Sequence, residues 1–215
     1  MSLIPDERKE HVKNQLAENL ANTVRVIMFT QGLECKFCAD TKQLIYELAA
    51  LNDRIRAEVH DFVADAQLAQ QYGIEKIPAI AVMGEKDYGI RFYGFPYGYE
   101  FQTLIEALIL ASKGQTDLSD QTKAKLLKIK TPVNIKVFTT LTCPYCPLTV
   151  SMAHKFAIEN DLITAEAIDA SEFPELAIKY GVMGVPKTVI NEKTEFVGAI
   201  SENLFLEQVL LATRQ

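Results

Sequence analysis

The sequence predicts an α/β protein made of two tandem units, each with a central mixed β-sheet flanked by helices. Three observations lead to this fold class. The 215-residue chain contains an internal repeat with an offset near 108 positions. Both halves show the same order of strand and helix patterns. Each half also carries one C-x-x-C motif at the same place in that order, Cys35/Cys38 and Cys143/Cys146.

The repeat is the strongest of these observations because several residue matches share one offset. Cys143 follows Cys35 by 108 positions. The same offset relates the pairs Tyr72-Gly73 and Tyr180-Gly181, Pro78 and Pro186, and Asp61 and Asp169. We therefore interpret the chain as two homologous units, 1–118 and 119–215. The boundary follows the polar stretch 113–117, whose Gly114 is the residue type that often ends a helix.

The elements of the second half follow the order βαβαββα. In the segment Val133–Thr139, apolar and polar residues alternate and several residues are β-branched, which predicts a strand. The later elements are predicted as a helix over 143–160, a strand over 164–169, a helix over 172–180 with Ser171 as its N-cap, strands over 187–191 and 195–198, and a helix over 201–213. The first half repeats this order from 24 to 112. An extra helix is predicted before each unit, over 6–20 and 119–129.

Composition excludes several classes of protein. The net charge of −6 and the pI of about 5.2 argue against a nucleic-acid-binding protein, which usually has a basic face. The chain contains no stretch of about 18 apolar residues, so the sequence predicts no membrane span. The charged N-terminal segment has no apolar run of signal-peptide length, so a cytoplasmic location is expected. All four cysteines lie in C-x-x-C pairs, which in a cytosolic protein indicates catalysis or metal binding.

The position of the C-x-x-C pairs favours redox chemistry. Each pair is predicted to follow a strand and to open a helix, whose free N–H groups stabilise a thiolate. A stabilisation of about 1–2 kcal/mol would lower a cysteine pKa by roughly one unit. The first cysteine, Cys35 or Cys143, is then the accessible nucleophile. The second, Cys38 or Cys146, resolves the mixed disulfide and releases the substrate.

A metal site is the main alternative for these cysteines. Cys38 and Cys143 are 105 positions apart. In zinc ribbons the two C-x-x-C pairs are usually separated by only about 15–20 residues. We therefore expect no metal. The middle residues differ, since Pro144 suits a first helical turn and Lys36 places a cation beside Cys35. A degenerate, structural role for Cys35/Cys38 stays open.

Several motifs together resemble those of a known family. A strand, a C-x-x-C motif and an X-Pro pair about 40 residues later are similar to the thioredoxin superfamily. Residues 142–146, TCPYC, resemble the glutaredoxin active site, and Gly184-Val185-Pro186 resembles its proline loop. The whole chain resembles the glutaredoxin-like protein disulfide oxidoreductases of archaea and thermophilic bacteria. That resemblance implies thioredoxin-like units, no cofactor, and protein disulfides as substrates.

The resemblance also implies roles for the two prolines. Pro78 and Pro186 would be cis and lie beside the cysteines, which exposes the backbone of Ile77 and Val185 to an extended substrate segment. Thioredoxins carry a buried Asp nine residues before the first cysteine, where this chain has Val26 and Asn134. Protons must therefore pass through another acid or through water. The segment 198–202, GAISE, also departs from the Gly-Gly pair of glutathione-using glutaredoxins.

Three functions are compatible with these features. The first is a protein dithiol–disulfide oxidoreductase. The second is an electron donor between a flavoprotein reductase and a peroxiredoxin. The third is a client-binding module or chaperone without turnover.

Other polar and aromatic residues receive structural interpretations. Asp61 and Asp169 are either ordinary turn residues or buried acids near the site. The histidines His11, His60 and His154 are expected to be exposed or hydrogen-bonded. The aromatic residues between Tyr88 and Phe101 are expected to pack between the two units, with a binding surface as the alternative.

Overall fold

The computed structural model of the protein describes residues 2–213. Met1, Arg214 and Gln215, the outermost residues of the two predicted units, lie outside the described residues. The elements of the first half are α1 (Asp6–Asn19), β1 (Val24–Thr30), α2 (Cys38–Ala49), β2 (Ile55–Asp61), α3 (Ala66–Gln71), β3 (Ala79–Met83), β4 (Asp87–Tyr93) and α4 (Glu100–Lys113). Those of the second half are α5 (Asp120–Leu126), β5 (Val133–Thr139), α6 (Cys146–Glu159), β6 (Ile163–Asp169), α7 (Pro174–Lys179), β7 (Lys187–Ile190), β8 (Thr194–Val197) and α8 (Glu202–Thr213).

The predicted fold class is confirmed, but the two sheets join into one. The strand order is β2-β1-β3-β4-β6-β5-β7-β8, with four strands from each half. The halves meet where β4 pairs in parallel with β6, from Ile90 opposite Ala165 to Tyr93 opposite Ile168. Each strand would otherwise be a sheet edge with unpaired backbone groups and apolar side chains, and their pairing covers both.

Helices cover both faces of this sheet. Along β1, Val26 and Met28 point into the larger core, which also contains buried side chains of α1, α2, α4, α5, α6 and α8. Ile27 and Phe29 point into the smaller core under α3 and α7. This alternation is the two-residue period of a strand buried on both faces.

The strand directions place the loops that carry the two C-x-x-C motifs at one edge of the sheet. β4 and β1 both run antiparallel to β3, while β6 runs parallel to both β4 and β5. β1, β4, β5 and β6 therefore all end at the same edge, where β3 and β7 begin. We call this the cysteine edge, because Cys35 follows β1 and Cys143 follows β5.

α4 ends at a left-handed glycine, and α5 begins a few residues later. Gly114 has φ +60° and its N–H donates to the Leu110 carbonyl, which completes the helix end. Ser119 then caps α5 by accepting a hydrogen bond from the Thr122 backbone N–H. Among residues 2–213, no helix is both long and apolar enough to cross a membrane.

Three helix starts differ from the prediction. α6 begins at Cys146 and α2 at Cys38, so only the second cysteine of each pair is helical. α7 begins at Pro174, and Ser171 is not its N-cap. Instead Asp169 Oδ1 accepts hydrogen bonds from the backbone N–H groups of Ser171 and Glu172. This turn uses the residues that the sequence pattern assigns to the start of the helix.

The expectation for the histidines is wrong for His154. Its side chain on α6 is 1% exposed and packs edge-on against Phe92 of β4, with ring centroids 5.0 Å apart. Neither ring nitrogen makes a hydrogen bond of standard geometry within residues 2–213, although the Arg91 backbone is near enough to oppose the fall of its pKa. Burial lowers the pKa of His154 to about 3. The cause is the β4–β6 junction, which closes over a part of α6 that a single unit would leave open.

Candidate redox sites

Both cysteine pairs are disulfides at the cysteine edge. The Cα atoms are 5.4 Å apart in Cys35–Cys38 and 5.5 Å apart in Cys143–Cys146, within the usual range for a disulfide. The pairs are separated by four strand spacings, from β1 to β5. At about 4.8 Å per spacing, the strands that carry them are about 19 Å apart. The four cysteines therefore do not form a joint zinc site.

The first cysteine of each pair is the more accessible one. Cys143 is 7% exposed and Cys146 is fully buried, while Cys35 is partly exposed and Cys38 is buried. Cys143 Sγ also accepts a hydrogen bond of 3.1 Å from the Cys146 backbone N–H at the start of α6. An N–H group aimed at this sulfur would stabilise a thiolate there once the disulfide is reduced.

Both X-Pro bonds singled out in the sequence are cis. They are Ile77–Pro78 and Val185–Pro186, as the family resemblance implies. Ala79 pairs with Phe29 and Lys187 pairs with Phe138. Each proline therefore precedes a strand that lies directly beside the strand leading to its cysteines.

The rims of the two sites differ in chemistry. At the second site, the exposed apolar side chains at the cysteine edge are Tyr145, Leu148, Met183 and Val197. At the first site, Glu75 and Lys76 occupy the positions equivalent to Met183 and Gly184.

Lys76 faces the junction between the units, away from solvent. Its Nζ lies 3.7 Å from Glu166 Oε2 and 3.6 Å from the centroid of the Tyr93 ring. Burial lowers the pKa of Lys76.

A buried acid lies close to the second site. Glu100 is 3% exposed, and neither carboxylate oxygen makes a hydrogen bond of standard geometry within residues 2–213, although the Thr103 side chain is near enough to oppose the rise of its pKa. Burial raises the pKa of Glu100 to about 8, with a further contribution from the charge of Asp169. Glu100 shares a small cavity of about 10 Å³ with Thr139 and Asp169. That volume is about the least that holds one water molecule.

The backbone beside Glu100 touches the loop that leads to Cys143. The Tyr99 N–H donates to the Leu141 carbonyl at 3.2 Å. A Cβ atom at Gly98 would lie 2.4 Å from the same oxygen. Sequence reasoning missed Glu100, since an acidic residue in a first helical turn is usually exposed. The missing thioredoxin Asp was the only signal for such an acid.

The two strand-end aspartates share a structural role but differ in burial. Asp61 Oδ1 accepts hydrogen bonds from the N–H groups of Val63 and Ala64, as Asp169 does in its own turn. Asp61 is exposed, whereas Asp169 is 5% exposed and burial raises its pKa. The turn interpretation is right for both residues, and the buried-acid interpretation only for Asp169.

The aromatic cluster packs between the units in part, since Phe92 and Tyr93 contact the second unit whereas Tyr97 and Tyr99 are exposed. Tyr93 of β4 contacts Phe173 of the second half edge-on, with centroids 6.5 Å apart, and Phe92 contacts His154. Phe95 also stacks on Phe37, the residue just before Cys38, at 6.1 Å.

The chain is similar to thioredoxins and to a protein disulfide oxidoreductase. Residues 133–211 match a family model described as thioredoxin domain. A probable thioredoxin of Methanothermobacter thermautotrophicus is 44% identical over 78 residues, which is 36% of this chain and 92% of the relative. A protein disulfide oxidoreductase from Aeropyrum pernix K1 superposes with a TM-score of 0.92 and 32% identity, covering 98% of this chain and 94% of that one.

The chain belongs to the protein disulfide oxidoreductase family. It is a dithiol–disulfide oxidoreductase with two C-x-x-C disulfides on a tandem thioredoxin fold. The enzymatic interpretation of the sequence is thereby confirmed over the non-catalytic one.

A second group of relatives consists of alkylhydroperoxide reductase proteins. AhpF of Enterococcus faecalis superposes with a TM-score of 0.88 and 25% identity, covering 95% of this chain and 98% of that one. The corresponding Escherichia coli protein is 26% identical over 72% of this chain. The match spans 28% of the length of the Escherichia coli protein.

Proposed function

We propose that both C-x-x-C pairs exchange disulfides with protein substrates, and that the second pair is the principal centre. In reduction, the Cys143 thiolate attacks a substrate disulfide, which forms a mixed disulfide and releases one substrate thiolate. Cys146 then attacks Cys143 Sγ, which forms the Cys143–Cys146 disulfide and releases the second substrate thiol. Cys35 and Cys38 take the same roles at the first centre. The observation that carries this proposal is the hydrogen bond from the Cys146 N–H to the more exposed Cys143 Sγ.

Single cysteine variants test these roles. Cys143→Ser should abolish most of the insulin-reducing activity, because the attacking sulfur is lost. Cys146→Ser should accumulate a mixed disulfide with the substrate, because Cys143 can still attack but is not resolved. Full activity in Cys143→Ser would contradict the choice of the second pair as the principal centre. The matched Cys35→Ser variant measures the share of the first centre.

Substrate binding is proposed at the residues before the cis prolines. The half-buried Val185 and Ile77 lie two residues before β7 and β3, where an extended segment could pair with their backbone. The exposed apolar rim of the second site supports contacts with apolar side chains beside a substrate disulfide. Met183 is its most exposed member, at 97%.

Met183→Glu tests this surface. The charge should raise the KM for insulin while the rate with a small aromatic disulfide stays unchanged, because only the protein reaches the rim. Leu162→Glu is the control, since Leu162 is an exposed apolar residue at the opposite edge of the sheet. Equal effects of the two variants on KM would contradict a role of the rim in substrate binding.

We further propose Glu100 as the proton acceptor for the Cys146 thiol during resolution. The supports are its burial beside the Cys143 loop and a pKa raised to about 8, because an acid–base group works best when its pKa is near the working pH. The cavity shared with Thr139 and Asp169 offers room for one water molecule beside the Glu100 carboxylate. This group comes from the first unit and would serve the centre of the second.

The two centres are proposed to act separately within one molecule. Thiol–disulfide exchange needs contact between sulfurs, whereas the supporting strands are about 19 Å apart in a continuous sheet. Electrons would therefore pass between the centres only through a partner. The restriction of cysteine to C-x-x-C pairs supports a cytoplasmic location.

A second candidate function is electron transfer from a flavoprotein reductase to a peroxiredoxin. The similarity to AhpF of Enterococcus faecalis over 95% of the chain favours it. The test is pyridine-nucleotide oxidation in a mixture of a flavoprotein thioredoxin reductase, this protein, a peroxiredoxin and hydrogen peroxide. Oxidation that depends on Cys143 would support the relay. Its absence with partners from the source organism would contradict the relay.

A further inference from the structure

The segment after β4 connects the first redox centre to the second unit. Gly94 and Phe95 follow β4 at the cysteine edge, and the Phe95 N–H donates to Glu172 Oε1 at 2.6 Å. A Cβ atom at Gly94 would lie 3.0 Å from the same oxygen. The carboxylate of Glu172, a residue of the second unit, therefore holds the main chain of the first.

The Phe95 side chain extends this contact to the first C-x-x-C motif. Its ring stacks on Phe37 with an interplanar angle of 8° and on Tyr97 with an angle of 3°. Phe37 directly precedes Cys38, the first residue of α2. A shift of Phe95 would thus move the ring that packs beside the resolving cysteine.

The charges of Glu172 and Lys36 also interact near the first C-x-x-C motif. Glu172 is half-buried, and burial raises its pKa to about 7 although the nearby Lys36 ammonium lowers it. Lys36 follows Cys35 and lies with its Nζ 4.8 Å from the centroid of the Phe37 ring. A cation beside a cysteine favours its thiolate, and a carboxylate near that cation offsets the effect.

We propose that Glu172 is a positioning residue for the first redox centre and that its negative charge favours the disulfide over the dithiol of Cys35–Cys38. Reduction of this disulfide by two glutathione molecules gives one glutathione disulfide and the Cys35 and Cys38 thiols, of which Cys35 ionises. Negative charge nearby disfavours that thiolate, so the equilibrium moves toward the disulfide. The inference rests on the proposed redox role of Cys35–Cys38.

The experiment isolates the first centre in a Cys143→Ser/Cys146→Ser background. The protein is equilibrated with defined glutathione buffers at pH 8, and the reduced fraction is measured by thiol alkylation and mass spectrometry. Glu172→Gln keeps an oxygen that accepts from the Phe95 N–H but removes the charge. It should shift the equilibrium constant toward the dithiol by about fivefold, which corresponds to a fall of about 0.7 unit in the pKa of the Cys35 thiol. Glu175→Gln, an exposed carboxylate in the first turn of α7, should leave it unchanged.

Two further variants separate positioning from general damage. Lys36→Met should shift the same equilibrium toward the disulfide, opposite to Glu172→Gln. In the Cys35→Ser/Cys38→Ser background, Glu172→Gln should leave the second centre within about twofold of its parent.

The outcomes distinguish this inference from the proposed function. An unchanged first centre in Glu172→Gln, or equal shifts at both centres, would overturn the inference alone. A parent whose Cys35–Cys38 pair never forms a disulfide would refute its redox role and the inference together.

Discussion

Replacing Glu100 by Gln should make the stability of the protein less dependent on pH. The carboxylate is buried at the start of α4 without a hydrogen bond of standard geometry within residues 2–213, and burial raises its pKa to about 8. The folded state therefore holds this proton more tightly than the unfolded state does. Stability from the protonated form is complete below the ordinary pKa of 4.5 and is lost as the pH rises toward 8.

The size of this pH dependence follows from the shift in the pKa of Glu100. Each unit of pKa difference is worth about 1.4 kcal/mol, so the free energy of unfolding should fall by roughly 3–4 kcal/mol between pH 5 and pH 8 because of this group. Relaxation of the structure around the ionised carboxylate would reduce that value. Glu100→Gln has no proton to lose, and it should therefore gain about 3 kcal/mol on the wild type between these two pH values.

Urea unfolding of the oxidised protein at pH 5 and pH 8 measures this difference directly. Glu106→Gln is a matched control, because Glu106 is a partly exposed carboxylate on the same helix. If Glu100→Gln and the wild type change equally between the two pH values, Glu100 is not ionising in a buried site. The same variant in the Cys35→Ser/Cys38→Ser background should also slow the resolution step by Cys146. An unchanged pH profile of that step would refute the proton-acceptor role.

Two further changes test the junction and the active-site loop. His154→Leu should stabilise the protein at low pH, because burial lowers the pKa of His154 to about 3 and the unfolded state binds its proton below about 6.5. Relative to wild type, the gain between pH 7 and pH 5 should be roughly 2 kcal/mol in urea unfolding, and no gain would show that His154 is solvated. Gly98→Ala should cost more than about 1 kcal/mol of stability, because Gly98 has φ +62° and its Cβ would meet the Leu141 carbonyl at 2.4 Å. Gly32→Ala is the control, since a Cβ there meets no atom within 4 Å; equal thermal midpoints for both variants would contradict the close approach.

The roles proposed for Glu100 and Glu172 would give the junction a function beyond packing. Glu100 belongs to the first unit and lies beside the loop of the second centre, while Glu172 belongs to the second unit and binds the segment stacked on the first motif. Each unit thus contributes an acidic residue next to a segment that contacts the loop or motif of the other unit's cysteine pair. A single thioredoxin-like unit has no equivalent surface from which to supply such a group.

Local patterns in the sequence are sufficient to predict most helices and strands and to single out the two C-x-x-C motifs. The predicted strand Val133–Thr139 has the same bounds in the structure, because alternation of β-branched residues depends on neighbours only a few positions away. The two C-x-x-C motifs and the two prolines stand out because they recur at one offset. The helix starts at Cys146 and Pro174 differ from the predicted ones, and at Pro174 the reason is that Asp169 competes locally for the N–H groups that a helix cap would take.

The sequence by itself determined two repeated α/β units, the four cysteines and the prolines beside them, because these features depend on short-range pattern and on the repeat. Only the tertiary structure decided that β4 pairs with β6, that His154 and Glu100 are buried, and that Glu172 accepts a hydrogen bond from the Phe95 backbone of the other unit. Burial of a polar side chain depends on which distant surface covers it. Pairing between strands of different units brings together residues more than 70 positions apart, such as Ile90 and Ala165, and no local pattern in the chain encodes that contact.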